Sequence, residues 1–130
     1  MIVVDASTVL ELLLRTTRAD AIEARIFAPG ETLHAPHLLD IEVAQVVRRY
    51  TLHREVTAPR AELALVDFAS LRIQRYAHDL FLSRIWELRA NFTAYDAAYV
   101  ALSEALSARL MTHDKRLALA ARRFVDVEPV

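Results

Sequence analysis

The chain has 130 residues, of which 55% are hydrophobic and 25% are charged, and this composition is typical of one globular domain. Cysteine is absent, which excludes disulfides, zinc–thiolate sites and thiol catalysis. The single glycine, Gly30, excludes the glycine-rich loops that bind nucleotide phosphates. No apolar run approaches the roughly 20 residues of a membrane span, and the first residues lack a basic secretion signal. We therefore expect a cytoplasmic protein without membrane contact.

The charge balance does not exclude a nucleic-acid substrate. The formal net charge is −1, whereas dedicated nucleic-acid-binding proteins are usually basic. Of the 16 basic residues 15 are arginine, which binds phosphate in a bidentate manner but is also abundant in proteins from GC-rich genomes. If four carboxylates bound a metal ion, setting them aside would raise the net charge of the remaining chain from −1 to +3.

The first half of the chain contains two short apolar runs, each followed by residues at helical spacing. The first run, from Ile2 to Val4, is wholly apolar, which is typical of a buried parallel strand. Ser7 or Thr8 can cap the helix that follows, and Thr8 with Glu11 fits a capping box. In chain order, the pattern predicts a strand at 2–4, helices at 7–15 and 18–28, a strand at 32–35 and a helix at 37–53.

The second half continues this alternation. Pro59 suits the first turn of a helix, and residues 71–76 alternate apolar and polar side chains as an edge strand does. In chain order, the pattern predicts a helix at 59–70, a strand at 71–76, helices at 78–89 and 94–107, a strand at 109–112, a helix at 115–122 and a strand at 124–127. This alternation indicates an α/β domain whose parallel sheet is flanked by helices on both faces.

Four acidic residues are candidates for a shared site. Asp5 follows the first strand directly, and Asp114 follows the strand at 109–112 with one residue between. Ligand sites in parallel sheets lie at the carboxyl ends of the strands, near the switch in strand order. Glu42, in the second turn of its helix, and Asp96, in the first turn of its helix, can project toward the same end.

Each carboxylate also has a structural interpretation. Asp114 can cap the last helix, and Thr93 with Asp96 fits a capping box. Glu42 on the rim of an apolar stripe and Asp5 beside a buried strand are harder to explain in this way, because unpaired buried carboxylates are costly. Clustered carboxylates repel one another, and Mg²⁺ or Mn²⁺ would relieve that repulsion, since these hard cations prefer oxygen ligands.

Other residues offer no comparable site. His34 and His37 flank Pro36 without a cysteine partner, so we expect them at the surface rather than in a zinc site. A phosphatase of the haloacid-dehalogenase type would need a second acid where Ser7 stands. A response-regulator domain would need a lysine after its last strand, whereas Lys115 precedes the final predicted strand.

Four segments, in order along almost the whole chain, resemble the motifs of PIN-domain ribonucleases. They are residues 2–7 (IVVDAS), 36–44 (PHLLDIEVA), 93–102 (TAYDAAYVAL) and 110–117 (LMTHDKRL). Each segment contains one of the four candidate acids. The small size and the third segment look most like VapC-type toxins of toxin–antitoxin pairs. His113 departs from the small residue that many relatives carry at that position.

The resemblance implies a single PIN-like domain over residues 1–130, with a five-stranded parallel sheet in the order 3-2-1-4-5. It implies a metal site for one or two Mg²⁺ or Mn²⁺ ions, with metal-binding and catalytic carboxylates and two supporting hydroxyls: Asp5, Glu42, Asp96 and Asp114, with Ser7 and Thr112. It also implies an endoribonuclease toxin that cleaves structured RNA such as tRNA and so inhibits translation. The implied partners are a second copy in a homodimer and a small antitoxin that enters the acidic cleft.

Two further points remain open at the level of sequence. Arg89, Lys115 and Arg116 lie close to motif residues, and we hypothesise that they contact RNA phosphates. The alternative function is a non-catalytic protein-interaction module on the same fold, in which the acids serve only as helix caps. A mean hydropathy of +0.21 fits a protein partner, although abundant alanine also raises this value.

Overall fold

The computed structural model describes residues 1–128, so the last two residues of the predicted domain, 1–130, lie outside the described part of the chain. Within it, the strands are β1 (Ile2–Val4), β2 (Leu33–Pro36), β3 (Ile73–Tyr76), β4 (Arg109–Met111) and β5 (Val127–Glu128). The helices are α1 (Ala6–Leu13), α2 (Ala19–Ile26), α3 (Leu38–Leu52), α4 (Ala58–Ser70), α5 (Leu82–Glu87), α6 (Ala94–Leu106) and α7 (Lys115–Ala121). None of these helices, over residues 1–128, is long and apolar enough to cross a membrane.

The strands form one parallel sheet in the order β3-β2-β1-β4-β5, as the resemblance predicted. The chain runs outward from β1 through β2 to β3, and then returns to place β4 on the other side of β1. The switch in strand order therefore lies between the neighbouring strands β1 and β4. The carboxyl ends of β1 and β4 meet there, which is where open α/β sheets bind ligands.

Helices cover both faces of the sheet, as expected. On one face, Ile2 and Val4 of β1 pack in a core with residues of α1 to α4. On the other face, Val3 packs with residues of α6 and α7. Successive side chains of a strand point to opposite faces, so the wholly apolar run of β1 is explained by burial on both sides.

Three local predictions were wrong. The cap of α1 is Asp5 rather than Ser7 or Thr8, since the Asp5 side chain accepts from the backbone N–H of Thr8. The segment predicted as one helix at 78–89 is a 3-10 turn (His78–Phe81) followed by the shorter α5. The last strand begins at Val127 rather than 124, because the N–H groups of Phe124 and Val125 both donate to the Ala121 carbonyl and extend the turn after α7.

One side-chain contact fastens α1 to the end of β4. The Thr8 hydroxyl is buried and donates to the Met111 carbonyl oxygen at 2.8 Å. The same carbonyl also receives a longer hydrogen bond, 3.4 Å, from the Asp5 N–H. Thr8 therefore helps to set the position of α1 against the strand that leads to Thr112 and Asp114.

We expect Thr8→Val to lower the free energy of unfolding by about 1–2 kcal/mol, because it removes a buried hydrogen bond without changing side-chain volume much. Urea denaturation measures this change. Thr51→Val is the matched control, since the Thr51 hydroxyl returns only to Val47 of its own helix. An equal loss in both variants would contradict the role given to Thr8.

Candidate functional site

Asp5 lies at the carboxyl end of β1 and is only 5% exposed. One carboxylate oxygen accepts from the Ser7 hydroxyl at 2.7 Å and from the Thr8 N–H at 3.0 Å. The other accepts from the Thr112 hydroxyl. Burial raises the pKa of the Asp5 carboxyl, and these hydrogen bonds offset that rise only in part. The protein thus holds a buried carboxylate in one fixed orientation.

Ser7 and Thr112, the two predicted supporting residues, connect Asp5 to the loop after β4. The Ser7 oxygen accepts from the His113 N–H at 2.8 Å, and the Thr112 hydroxyl oxygen accepts from the Asp114 N–H at 3.1 Å. The two hydroxyl oxygens are 3.3 Å apart. The loop that carries Asp114 is therefore fastened to the start of α1 by the same hydroxyls that orient Asp5.

Glu42 projects from α3 and is half-buried. Its Oε1 accepts from the Tyr99 hydroxyl of α6 at 2.6 Å. Burial raises the pKa of Glu42, the charges of Asp5 and Asp96 raise it further, and the Tyr99 hydrogen bond opposes them. Burial raises the pKa of Tyr99 itself, as do the neighbouring charges of Glu42, Asp5 and Asp96, so its hydroxyl remains a donor at neutral pH.

Tyr99 is a site residue that the sequence analysis missed. It is 2% exposed, and its position three residues after Asp96 places both on one side of α6. The available signal was that a buried tyrosine needs a partner for its hydroxyl. The sequence does not show which partner that is, because Glu42 is 57 residues away.

Asp96 and Asp114 lie at helix N-termini. Asp114 serves as the predicted cap, whereas the hydrogen bond seen for the predicted capping box is the one in which Thr93 accepts. The Asp96 N–H donates to the Thr93 hydroxyl at 3.1 Å. Asp114 Oδ1 accepts from the N–H groups of Arg116 and Leu117, at 2.9 and 3.1 Å, and caps α7. Burial raises the pKa of Asp96, as does the charge of Asp114, while Arg116 lowers it.

The four carboxylates line one pocket of about 350 Å³, together with Ser7, Tyr99 and His113. Their mutual repulsion contributes to the raised pKa values of Glu42 and Asp96. Over residues 1–128, however, no three His, Asp or Glu side chains are gathered closely enough to bind a metal ion directly. Carboxylate oxygens of Asp5, Glu42 and Asp114 accept hydrogen bonds from hydroxyl and backbone N–H groups of the protein itself.

The chemistry of these donors nevertheless fits a hard divalent cation. All four side chains offer carboxylate oxygens, which Mg²⁺ and Mn²⁺ prefer. A cation between them would also lower the pKa values that burial and repulsion raise. The pocket also lies beside the switch in strand order, where the fold places ligands.

The PIN domain family model matches residues 2–123 of the chain. The chain belongs to the PIN-domain family. It is 44% identical over 117 residues to VapC ribonuclease Mb0985 of Mycobacterium bovis, a match that covers 90% of this chain and 88% of that protein. It is 37% identical over 130 residues to ribonuclease VapC12 of Mycobacterium tuberculosis, which covers 100% and 99% of the two chains. Within the family, the chain is thus a member of the VapC ribonucleases.

A solved structure supports the fold of this PIN domain. VapBC2 from Rickettsia felis, bound to a DNA fragment from the promoter of its genes, matches with a TM-score of 0.69. The match covers 98% of both chains at 14% identity, so it bears on the fold alone.

The predicted RNA-binding residues of this PIN domain separate into two groups. Arg89 and Arg116 line a groove of about 450 Å³ that shares Asp96 and Leu117 with the acidic pocket. The Arg89 guanidinium lies 4.6 Å from the centre of the Trp86 ring, and Arg116 lies 3.8 Å from the Asp96 carboxylate. Lys115 is exposed at the start of α7 and is not among the residues that line this groove.

The raised pKa of Asp96 predicts that its charge destabilises the fold of this PIN domain. Between the ordinary pKa of 3.8 and the raised one, the folded state binds more protons than the unfolded state, so stability falls as the pH rises. We expect Asp96→Asn to raise the free energy of unfolding at neutral pH by about 1 kcal/mol. That gain should shrink as the pH falls from the raised pKa toward the ordinary value of 3.8, and should be smallest below 3.8, where the carboxyl is protonated in both states.

Urea denaturation across this pH range measures the effect. Asp67→Asn is the control, because Asp67 is exposed on α4, away from the pocket. If Asp96→Asn were less stable than the wild type at neutral pH, the Asp96 carboxylate would stabilise the fold, which would contradict the prediction.

Proposed function

We propose that the protein is a divalent-metal-dependent endoribonuclease that hydrolyses phosphodiester bonds in structured RNA. The observation that carries the proposal is the pocket itself: carboxylates from four different parts of the chain line one cavity beside the switch in strand order. Membership of the VapC ribonucleases supports the reaction class. A set of helix caps alone would not need Glu42, which lies within a helix and requires Tyr99 as a partner.

Asp5, Glu42, Asp96 and Asp114 would hold one or two Mg²⁺ or Mn²⁺ ions. A bound ion of this kind activates water and stabilises the charge that develops on a phosphate. Ser7 and Thr112 orient the two oxygens of Asp5, and Tyr99 positions Glu42. Their contribution is to keep the carboxylates in a fixed arrangement while each retains oxygen lone pairs for a ligand.

The reaction is hydrolysis with a 3′-oxygen leaving group. The oxygen of a water molecule forms a bond to phosphorus, the bond between phosphorus and the 3′ oxygen breaks, and a proton from the water ends on the leaving 3′ oxygen. The products carry a 5′-phosphate and a 3′-hydroxyl. Arg89 and Arg116 border the acidic pocket, and they would bind phosphates on one side of the bond that is cut.

The biological role we propose is that of the toxin in a toxin–antitoxin pair. The substrate would be a structured RNA such as tRNA, and its cleavage would inhibit translation. The partners would be a second copy of the chain in a homodimer and a small antitoxin that enters the acidic cleft. Membership of the VapC ribonucleases supports the antitoxin partner.

RNA cleavage by the purified protein tests the activity. We expect total tRNA to be cut in Mg²⁺ or Mn²⁺ and not in EDTA. Asp5→Asn should reduce the rate by more than about 100-fold, since even residues that only orient metal ligands contribute 10- to 100-fold. Asp67→Asn is again the control, and it should cleave like the wild type.

Mapping of the product ends tests which phosphorus–oxygen bond breaks. Ligation of an adapter that requires a 5′-phosphate should succeed if the bond to the 3′ oxygen is the one that breaks. Cleavage that persists in EDTA, or that Asp5→Asn leaves intact, would contradict the proposed reaction. No cleavage of tRNA or of total cellular RNA by the folded protein would favour the non-catalytic interaction module.

A further inference from the structure

The acidic pocket continues along α3 beyond Glu42. Val46, Arg49 and Tyr50 line it as well, and they follow Glu42 at intervals that keep them on one face of the helix. Leu10 of α1 and Leu14, the residue directly after this helix, line the same pocket. Besides the four carboxylates, the pocket is therefore lined by apolar side chains, by Glu11 of α1, and by a guanidinium and an aromatic ring seven and eight residues beyond Glu42.

Arg49 is unusual among the residues of this pocket. Of the side chains that line it within residues 1–128, Arg49 alone carries a permanent positive charge. No carboxylate within residues 1–128 lies at ion-pair distance from it. Its guanidinium is instead 5.7 Å from the centre of the Tyr50 ring. Arg116, in contrast, is 3.8 Å from Asp96.

An unpaired guanidinium in a pocket lined with acids is available for an anion from outside the protein. Because guanidinium binds phosphate oxygens in a bidentate manner, the anion that this geometry suits is a phosphodiester. A basic peptide drawn to the carboxylates would meet repulsion at Arg49, whereas a phosphate chain would be attracted there. The apolar side chains of Leu10, Leu14 and Val46 offer no charge to phosphates and suit sugars and base edges.

We propose that Arg49 binds a backbone phosphate of the RNA, and that the ring of Tyr50 stacks on a neighbouring base. This inference rests on the proposed ribonuclease function. Glu42 and Arg49 are seven residues apart, which is about 10 Å along the helix axis. At the stacked rise of about 3.4 Å per nucleotide, Arg49 reaches a phosphate about three nucleotides from the bond that is cut.

Arg49 is therefore a substrate-positioning residue outside the groove of Arg89 and Arg116, which meets the acidic pocket at Asp96 and Leu117. The RNA would run from that groove, across the carboxylates and along α3. The bound strand would then be fixed on both sides of the scissile phosphate, which holds that phosphate in the orientation that the reaction requires.

Steady-state cleavage of a short end-labelled RNA, centred on the mapped cleavage site, tests this role. We expect Arg49→Ala to raise KM about tenfold and to leave kcat within about twofold, because a charged hydrogen bond to the substrate is lost in ground and transition states alike. The dependence of log(kcat/KM) on log salt should become shallower by about 0.7, the value for one phosphate of a single strand.

Arg48→Ala is the matched control, since Arg48 is the neighbouring exposed arginine and does not line the pocket. It should change neither KM nor the salt dependence. Tyr50→Phe should retain the wild-type KM, and Tyr50→Leu should raise it, because stacking needs the ring and not the hydroxyl.

A series of RNAs, each with one neutral methylphosphonate, identifies the phosphate. At one position, about three nucleotides from the cut, the substitution should raise KM for the wild type and have no further effect on Arg49→Ala. Equal effects of Arg49→Ala and Arg48→Ala on an active enzyme would overturn the inference and leave the proposed function intact. Loss of antitoxin binding with an unchanged KM for RNA would assign the surface to a protein partner and would also overturn it.

Failure of the proposed function gives a different result. In that case the wild type cleaves none of these RNAs, and binding of the same labelled RNA, followed by anisotropy, does not distinguish Arg49→Ala from Arg48→Ala.

Discussion

The carboxyl group of Asp5 is buried at the end of the central strand, and much of the surrounding structure serves to make that burial tolerable. Asp5 follows β1, which is covered on both faces, so its side chain has little access to water. A buried carboxylate without partners is strongly destabilising. The fold supplies donors from α1 and from the end of β4, and the N-terminus of α1 adds a favourable dipole. The pKa of Asp5 nevertheless stays raised, because burial outweighs these hydrogen bonds.

Helix capping and metal binding are not competing explanations of these acids. Asp5 and Asp114 cap α1 and α7, and Asp96 lies in the first turn of α6. In a parallel α/β sheet, each helix that follows a strand begins at the carboxyl edge, so cap residues gather there. The same geometry that satisfies the helix N-termini therefore lines the pocket with carboxylates. Two acids are exceptions: Glu42 lies inside α3 and depends on Tyr99, and Asp96 lies on a helix that follows α5 rather than a strand.

The sequence alone predicted the positions of most strands and helices, because apolar runs and helical spacing record burial directly. The positions of Asp5 and Asp114 relative to strands predicted their convergence, whereas the strand order came from the resemblance to PIN domains. Contacts between distant residues were not predictable in the same way. His34 was expected at the surface, yet it is buried because the hydroxyls of Thr32 and Tyr76 satisfy its two ring nitrogens.

Thermal denaturation with increasing Mn²⁺ shows whether the carboxylate pocket binds a divalent cation. Binding to the folded state alone should raise the melting temperature, with about 2.7 kcal/mol of stabilisation at 100 times the dissociation constant. We predict this rise for the wild type and for Asp67→Asn, and its loss in Asp5→Asn. An unchanged melting temperature in Mn²⁺ and in Mg²⁺, or an equal rise in Asp5→Asn, would contradict the claim.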